Sequence, residues 1–191
     1  MVITYQGLES FRITQGDLAI ALNPASSRAG ADITLISSNA FATDGKGFVI
    51  TGPGEYEVKD IGVKGFLSES NYEGIARYNT IYQINLEGMN LCFLGPLSNP
   101  ELSDEAKESI EDVDVLFVPV GGEGVLEAAA AYKLAVSLEP SVIIPMHYTD
   151  KSLAQFIKEG GEEKSAPVDK LVLKKKDLEG KEGEIIVLKE E

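Results

Sequence analysis

The stretch from Val113 to Tyr148, VDVLFVPVGGEGVLEAAAAYKLAVSLEPSVIIPMHY, carries the pattern that decides the fold. VDVLFVPV is a short continuous apolar run, and SVIIPMHY is another. Runs of this length read as strands buried on both faces. Between them GGEG turns the chain, and an alanine-rich segment reads as a helix stopped before Pro140. A further helix, KSLAQFIKEGG, closes on Gly160 and Gly161. Strand, helix, strand and helix in succession place this half of the chain among α/β architectures.

Upstream, NPELSDEAKESIED reads as a helix with Ser103 as its N-cap. Before it, NTIYQINLEGMNLCFLG is a hairpin: Tyr82, Ile84 and Leu86 alternate with polar neighbours, Glu87–Gly88 turns, and Leu91–Leu94 returns. The first half is short strands and turns. VITYQG, SFRIT and DLAIALNP are three successive strands, with Gln15–Gly16 as a hairpin signal. Asp32–Ile36 and Gly47–Thr51 follow, then a turn at GPGEYEV and the alternating strand DIGVKGFLS. Downstream, VDKLVLKKKDLEGKEGEIIVLKEE reads as a basic strand, a charged turn and a last strand, a solvated edge hairpin. Antiparallel strands first and mixed strands and helices second predict an α/β or α+β sandwich with helices covering sheets, as one domain over residues 1–191.

The chain has 191 residues and a net charge of −14. That charge argues against a nucleic-acid partner, which requires a basic face. No apolar run approaches the ~18 residues of a membrane span, and no targeting segment is recognised. The single cysteine, Cys92, sits in an apolar run and reads as a buried hydrophobe in a reducing, cytoplasmic compartment.

Three features could carry chemistry. Gly121, Gly122 and Gly124 turn between a strand and a helix, where free N–H groups can hold an anion; the pattern is neither a dinucleotide turn nor a Walker loop and reads as structural. Glu55 and Glu57 share one face of an extended segment and read as solvated. His147, the only histidine, ends a buried strand, where ligands of open α/β sheets gather. Alone it makes neither a metal site nor a triad, and it reads as a hydrogen-bonded structural residue.

Taken together, ITYQGLESFRI, LAIALNP, ADITLISSNAFATDG, GPGEYEV, NLCFLGPL, VDVLFVPVGG and IIPMHY resemble, in this order, the metallo-β-lactamase fold family, nearest its small bacterial metal-dependent hydrolases and lactonase-like enzymes. The likeness runs from Met1 to about Tyr148. It implies a four-layered αββα sandwich and zinc-dependent hydrolysis through a T-H-x-H-x-D-H loop. Here that loop falls on Ser37–Thr43: Ser38 and Ala40 stand at the first two histidines, Ala42 at the aspartate and Thr43 at the last histidine. A later H-L-G-D piece falls on Phe93–Pro96, with Phe93 at the histidine and Pro96 at the aspartate, and the aspartate of an early D-P is Asn23. Of the ligand positions only His147 keeps its residue. Alanine, phenylalanine and proline side chains have no donor, and a serine hydroxyl is not deprotonated near neutral pH.

The expectation is therefore a catalytically silent protein of this fold, with no cofactor, acting as a binding or scaffold module. Its partner would be a protein or small molecule, a second copy of the chain included. The alternative is a hydrolase that works without metal, using His147 near Asp44 or Ser38, or through an unrecognised metal site. Phe93 and Phe41 are expected to fill the former metal cleft, with Pro96 beside them.

Overall fold

Alternating apolar residues make the first half of the chain a run of strands, and continuous apolar runs make the core strands of the second. The computed structural model describes residues 1–25, 30–41, 47–161 and 165–191. In chain order the elements are β1 (Val2–Tyr5), β2 (Phe11–Gln15), β3 (Leu18–Leu22), β4 (Ile33–Leu35), β5 (Phe48–Ile50), β6 (Gly54–Val58), β7 (Ile61–Ser70), β8 (Arg77–Leu86) and β9 (Met89–Phe93). Then come α1 (Asp104–Ser109), β10 (Val115–Pro119), α2 (Ala128–Ser137), β11 (Val142–Met146), α3 (Asp150–Glu159), β12 (Leu171–Val172) and β13 (Glu184–Ile185).

Two mixed sheets face each other, in the orders β12-β1-β2-β3-β4-β5 and β13-β11-β10-β9-β8-β7-β6. β3, β4 and β5 run parallel, as do β9, β10, β11 and β13. The space between the sheets is filled from both sides: Phe11 of β2 meets Phe117 of β10 edge-on at 4.8 Å, and Phe93 of β9 meets the same ring at 6.1 Å. Such pairs add about 0.5–1.5 kcal/mol each beyond the area they bury. A second apolar layer lies on the outer face of the seven-stranded sheet. There Ala131, Ala135 and Phe156 of the helices cover Cys92, Leu116, Val118 and Ile143. This is the α/β sandwich of the expected type. The described α-helices contribute to this layer, and a helical layer over the six-stranded sheet is not among the described residues.

The expected cap at Ser103 holds, and α3 gains one that was not expected. The Ser103 side chain accepts from the Ala106 N–H, and Thr149 and Ser152 make a reciprocal capping box at the start of α3. Two local expectations are corrected. GPGEYEV is more than a turn, because Gly54–Val58 pairs with β7 along its length. The tail is not a solvated edge hairpin. β12 joins β1 in one sheet and β13 joins β11 in the other. The lysines mask its apolar positions: Leu173, Leu178, Ile185, Val187 and Leu188 are buried, so the tail closes one end of the sandwich.

Cys92 is fully buried, and burial pushes its thiol up to about 12. Thiol reagents act on the thiolate. The native protein at about pH 8 is therefore expected to resist alkylation, and the denatured protein to take up one equivalent. Mass spectrometry after iodoacetamide treatment checks this, and rapid native labelling would show that the helical layer opens readily.

Candidate functional site

Parallel strands bring their carboxyl ends to one edge of the sandwich, and every part of the candidate site meets there. β11 delivers His147. The β1–β2 turn delivers Glu9. The segment after β4 delivers Ser37 to Phe41, and the long β7–β8 hairpin folds its tip, with Tyr72, over them.

His147 is held by its backbone first. Its N–H donates to the Leu8 carbonyl at 2.9 Å, and that carbonyl also accepts from the Tyr5 hydroxyl at 3.0 Å. Its backbone sits in the left-handed region, at φ +47°. Gly121 leaves room for it, since a Cβ there would strike the His147 carbonyl and ring. The ring then places Nδ1 against Glu9 Oε1. Glu9 is 0% exposed, and its other oxygen, Oε2, is buried with no partner among the described residues. Tyr72 lies edge-on to the imidazole at 5.6 Å, and Phe41 packs on Tyr72 at 5.5 Å. Burial raises the Tyr72 phenol above its usual value, and the charges of Glu9 and Glu73 add to this while Arg77 opposes it. Burial likewise raises that of Tyr5. Both phenols remain proton donors at neutral pH.

Apart from His147, the aligned ligand positions among the described residues brace loops or fill the core. The Asn23 amide donates to Ser37 Oγ, and the Ser37 N–H donates to Asn23 Oδ1, both at 2.8 Å. The Ser37 carbonyl accepts from the Thr80 N–H, tying this segment to β8. Ser38 is buried, its carbonyl accepting from the Phe41 N–H and its hydroxyl from the Ala40 N–H at 3.4 Å. Phe93 points into the core between the sheets, and Pro96 is buried beyond it. Between them Gly95, at φ +59°, lies so close to Ser37 and Asn79 that a Cβ would sit 2.6 Å from Ser37 Oγ. Ala42, Thr43 and Asp44 lie outside the described residues.

Zinc requires three or four N, S or O donors converging at about 2 Å. Among the described residues no group of three or more His, Cys, Asp or Glu side chains converges. The amide at position 23 is spent on Ser37, and His147, whose Nδ1 is held by Glu9, offers Nε2 alone. This donor set does not fit the metal.

His147 and the segment after β4 therefore meet as expected, through Tyr72 and Phe41. The aromatic cover differs from expectation: Phe41 and Tyr72 supply it, whereas Phe93 belongs to the core. Among the described residues Glu9 is the carboxylate on His147, and the Asp44 considered from the sequence lies outside them. Sequence reasoning missed Glu9, Tyr72 and Arg77, for which no motif or spacing gave a signal. The glycine turn is structural: the Gly122 N–H donates to Leu126, the Val125 N–H to Gly122, and the Gly124 carbonyl accepts from Asn71. Glu55 and Glu57 are exposed, with Glu55 3.8 Å from Lys64. No helix among the described residues is long and apolar enough to cross a membrane.

Residues 2–147 match the family described as the beta-lactamase superfamily domain, and the chain belongs to that superfamily. Its structure is similar to that of a proposed Zn-dependent hydrolase of the metallo-beta-lactamase superfamily from Thermotoga maritima, with 29% identity, 98% of this chain and 97% of that one covered, and a TM-score of 0.78. A proposed metal-dependent hydrolase from Parabacteroides distasonis shares the fold at 16% identity, with 98% and 93% coverage and a TM-score of 0.65. So does a metallo hydrolase from the archaeon Ignicoccus hospitalis, at 16% identity, 91% and 99% coverage, and 0.62.

Proposed function

We propose that this member of the superfamily is a metal-independent binding module, catalytically silent as a metallohydrolase, that receives its partner at the edge formed by His147, Tyr72 and Phe41. The observation that carries the reading is that the ligand positions described beside His147 brace loops or fill the core, so that its Nε2 has no fellow donor among the described residues. A hydrolytic metal centre lowers the pKa of bound water to generate its nucleophile. With Asn23 on Ser37, Ser38 closing a turn, and Phe93 in the core, this chain's residues are committed to other work. Zinc content and stability test the proposal. Protein purified without chelator is expected to carry less than about a tenth of an equivalent of zinc, and added zinc is expected to leave the melting temperature unmoved. A zinc-dependent rise that disappears in His147→Ala would overturn it.

One observation favours a second reading. Glu9 on Nδ1 orients the imidazole and leaves Nε2 as the nitrogen able to take a proton, the arrangement of a general base. In that case chromogenic esters or phosphodiesters would be hydrolysed in metal-depleted buffer, and the activity would be lost in His147→Ala. No turnover above that of the variant removes this reading.

A further inference from the structure

We propose that the groove beside the tip of the β7–β8 hairpin is a binding site for a small organic anion, a carboxylate or phosphate monoester carried on an apolar or aromatic body. The proposal rests on the reading of this edge as a binding surface and names what it would bind. The groove holds about 800 Å³, within the range of small-molecule sites, and is lined among others by Asn39, Asn71, Ile75, Arg77, Tyr78 and Ser98.

Arg77 is the central observation. Its Nε is buried and has no hydrogen-bond partner among the described residues. Its Nη1 donates to Asn39 Oδ1 at 3.4 Å, the long limit of such a bond. A buried N–H left without an acceptor is costly, and guanidinium N–H groups are the donors that grip carboxylate and phosphate oxygens two at a time. Nε is closed off from water in this rotamer, so an oxyanion in the groove would accept from Nε–H and the neighbouring Nη–H together once Arg77 gives up its long bond to Asn39 and turns toward it. The amides of Asn39 and Asn71 stand in the same lining to meet its remaining oxygens, beside the Ser98 hydroxyl, which donates to the Glu69 carbonyl at 3.4 Å.

The second observation is apolar. Tyr78 is 78% exposed and Ile75 is 52% exposed, both in the lining of this groove. Large apolar side chains gathered at a concave site mark a surface that something covers. Charge decides between a bare anion and an organic one. The chain carries −14, and Glu69 also lines the groove, so the long-range field opposes anions. The local fork at Arg77 must be helped by burial of an apolar body on Tyr78 and Ile75. An organic anion therefore binds where inorganic phosphate alone binds poorly.

The test is a titration of the full chain in metal-depleted buffer with phenyl phosphate, phenylacetate, inorganic phosphate and benzyl alcohol, followed by calorimetry and by the Arg77 Nε–H signal in nitrogen-15 spectra. At least one of the two organic anions is expected to saturate with a Kd of about 1 mM or tighter and to shift that signal, and which of them binds tighter separates phosphate from carboxylate as the preferred head group. Inorganic phosphate and benzyl alcohol are expected to bind at least about tenfold more weakly. Arg77→Gln is expected to weaken the organic anion by about tenfold or more, Arg77→Lys by less, and Tyr78→Ala to weaken it while leaving inorganic phosphate unchanged. Failure of both organic anions to saturate by about 10 mM overturns the proposal. So does binding that Arg77→Gln leaves intact, or a wild-type titration in which the Nε–H signal does not move; the last needs no variant. Zinc content and zinc-dependent melting test the metal-free reading separately, so the two can fail independently.

Discussion

His147→Ala is expected to lower the stability of the fold by about 1–3 kcal/mol, the cost of leaving a buried polar group without its hydrogen-bond partner. The effect comes less from the histidine than from what it leaves behind. Glu9 is wholly buried, one oxygen already has no partner, and the imidazole holds the other. Without the ring the carboxylate loses its side-chain partner in a place water does not reach. In a chain of 191 residues each kcal/mol moves the melting midpoint by roughly 2–4 °C, so a fall of roughly 2–12 °C is expected by calorimetry. A double-mutant cycle identifies the mechanism. Replacing Glu9 as well, as Glu9→Leu, removes the stranded polar group, so the double variant is expected to be more stable than His147→Ala alone. If His147→Ala costs less than about 1 kcal/mol, Glu9 has another partner and the pair is not what anchors this edge.

Local and periodic information was legible; contacts between distant segments were not. The apolar runs at Val115–Pro119 and Val142–Met146 are parallel neighbours, Ser103 caps its helix, and Glu87–Gly88 turns its hairpin, because each is fixed by a few adjacent residues. The position of His147 at a strand end was legible for the same reason. Its partner was not. Glu9 stands 138 residues away in a turn whose sequence, QGLES, looks like any solvated loop. Only the closing of β1 and β2 against the end of β11 buries it. The lysine-rich tail misled in the opposite sense, because its charge count hides five buried apolar residues that two different sheets share. Tyr72 and Arg77 belong to a hairpin tip, and nothing in alternation says which way a tip folds.

Phe93→His, which would restore by sequence a residue of the resembled metal motif, is expected to destabilise the protein by about 3–5 kcal/mol and to bring no zinc. Phe93 is fully buried among apolar side chains of both sheets, pairs in register with Tyr82 and Phe117, and meets the Phe117 ring edge-on. Imidazole is smaller than phenyl, so contacts are lost, and its two nitrogens enter a layer with little to bond to. Phe93→Leu, which changes shape but adds no polar atom, separates the terms and is expected to cost less than about 2 kcal/mol. A metal could offset the loss only by binding: at a hundredfold excess over its Kd it would return about 2.7 kcal/mol. That requires at least three converging donors, and among the described residues Ser38 closes a turn, Ala40 has none to give, and His147 offers Nε2 alone. Thermal melts of Phe93→His should therefore superimpose with and without zinc. A zinc-dependent rise in this variant would mean that one residue stands between this chain and a working metal site, and that its ligand positions are poised for metal rather than rebuilt for structure.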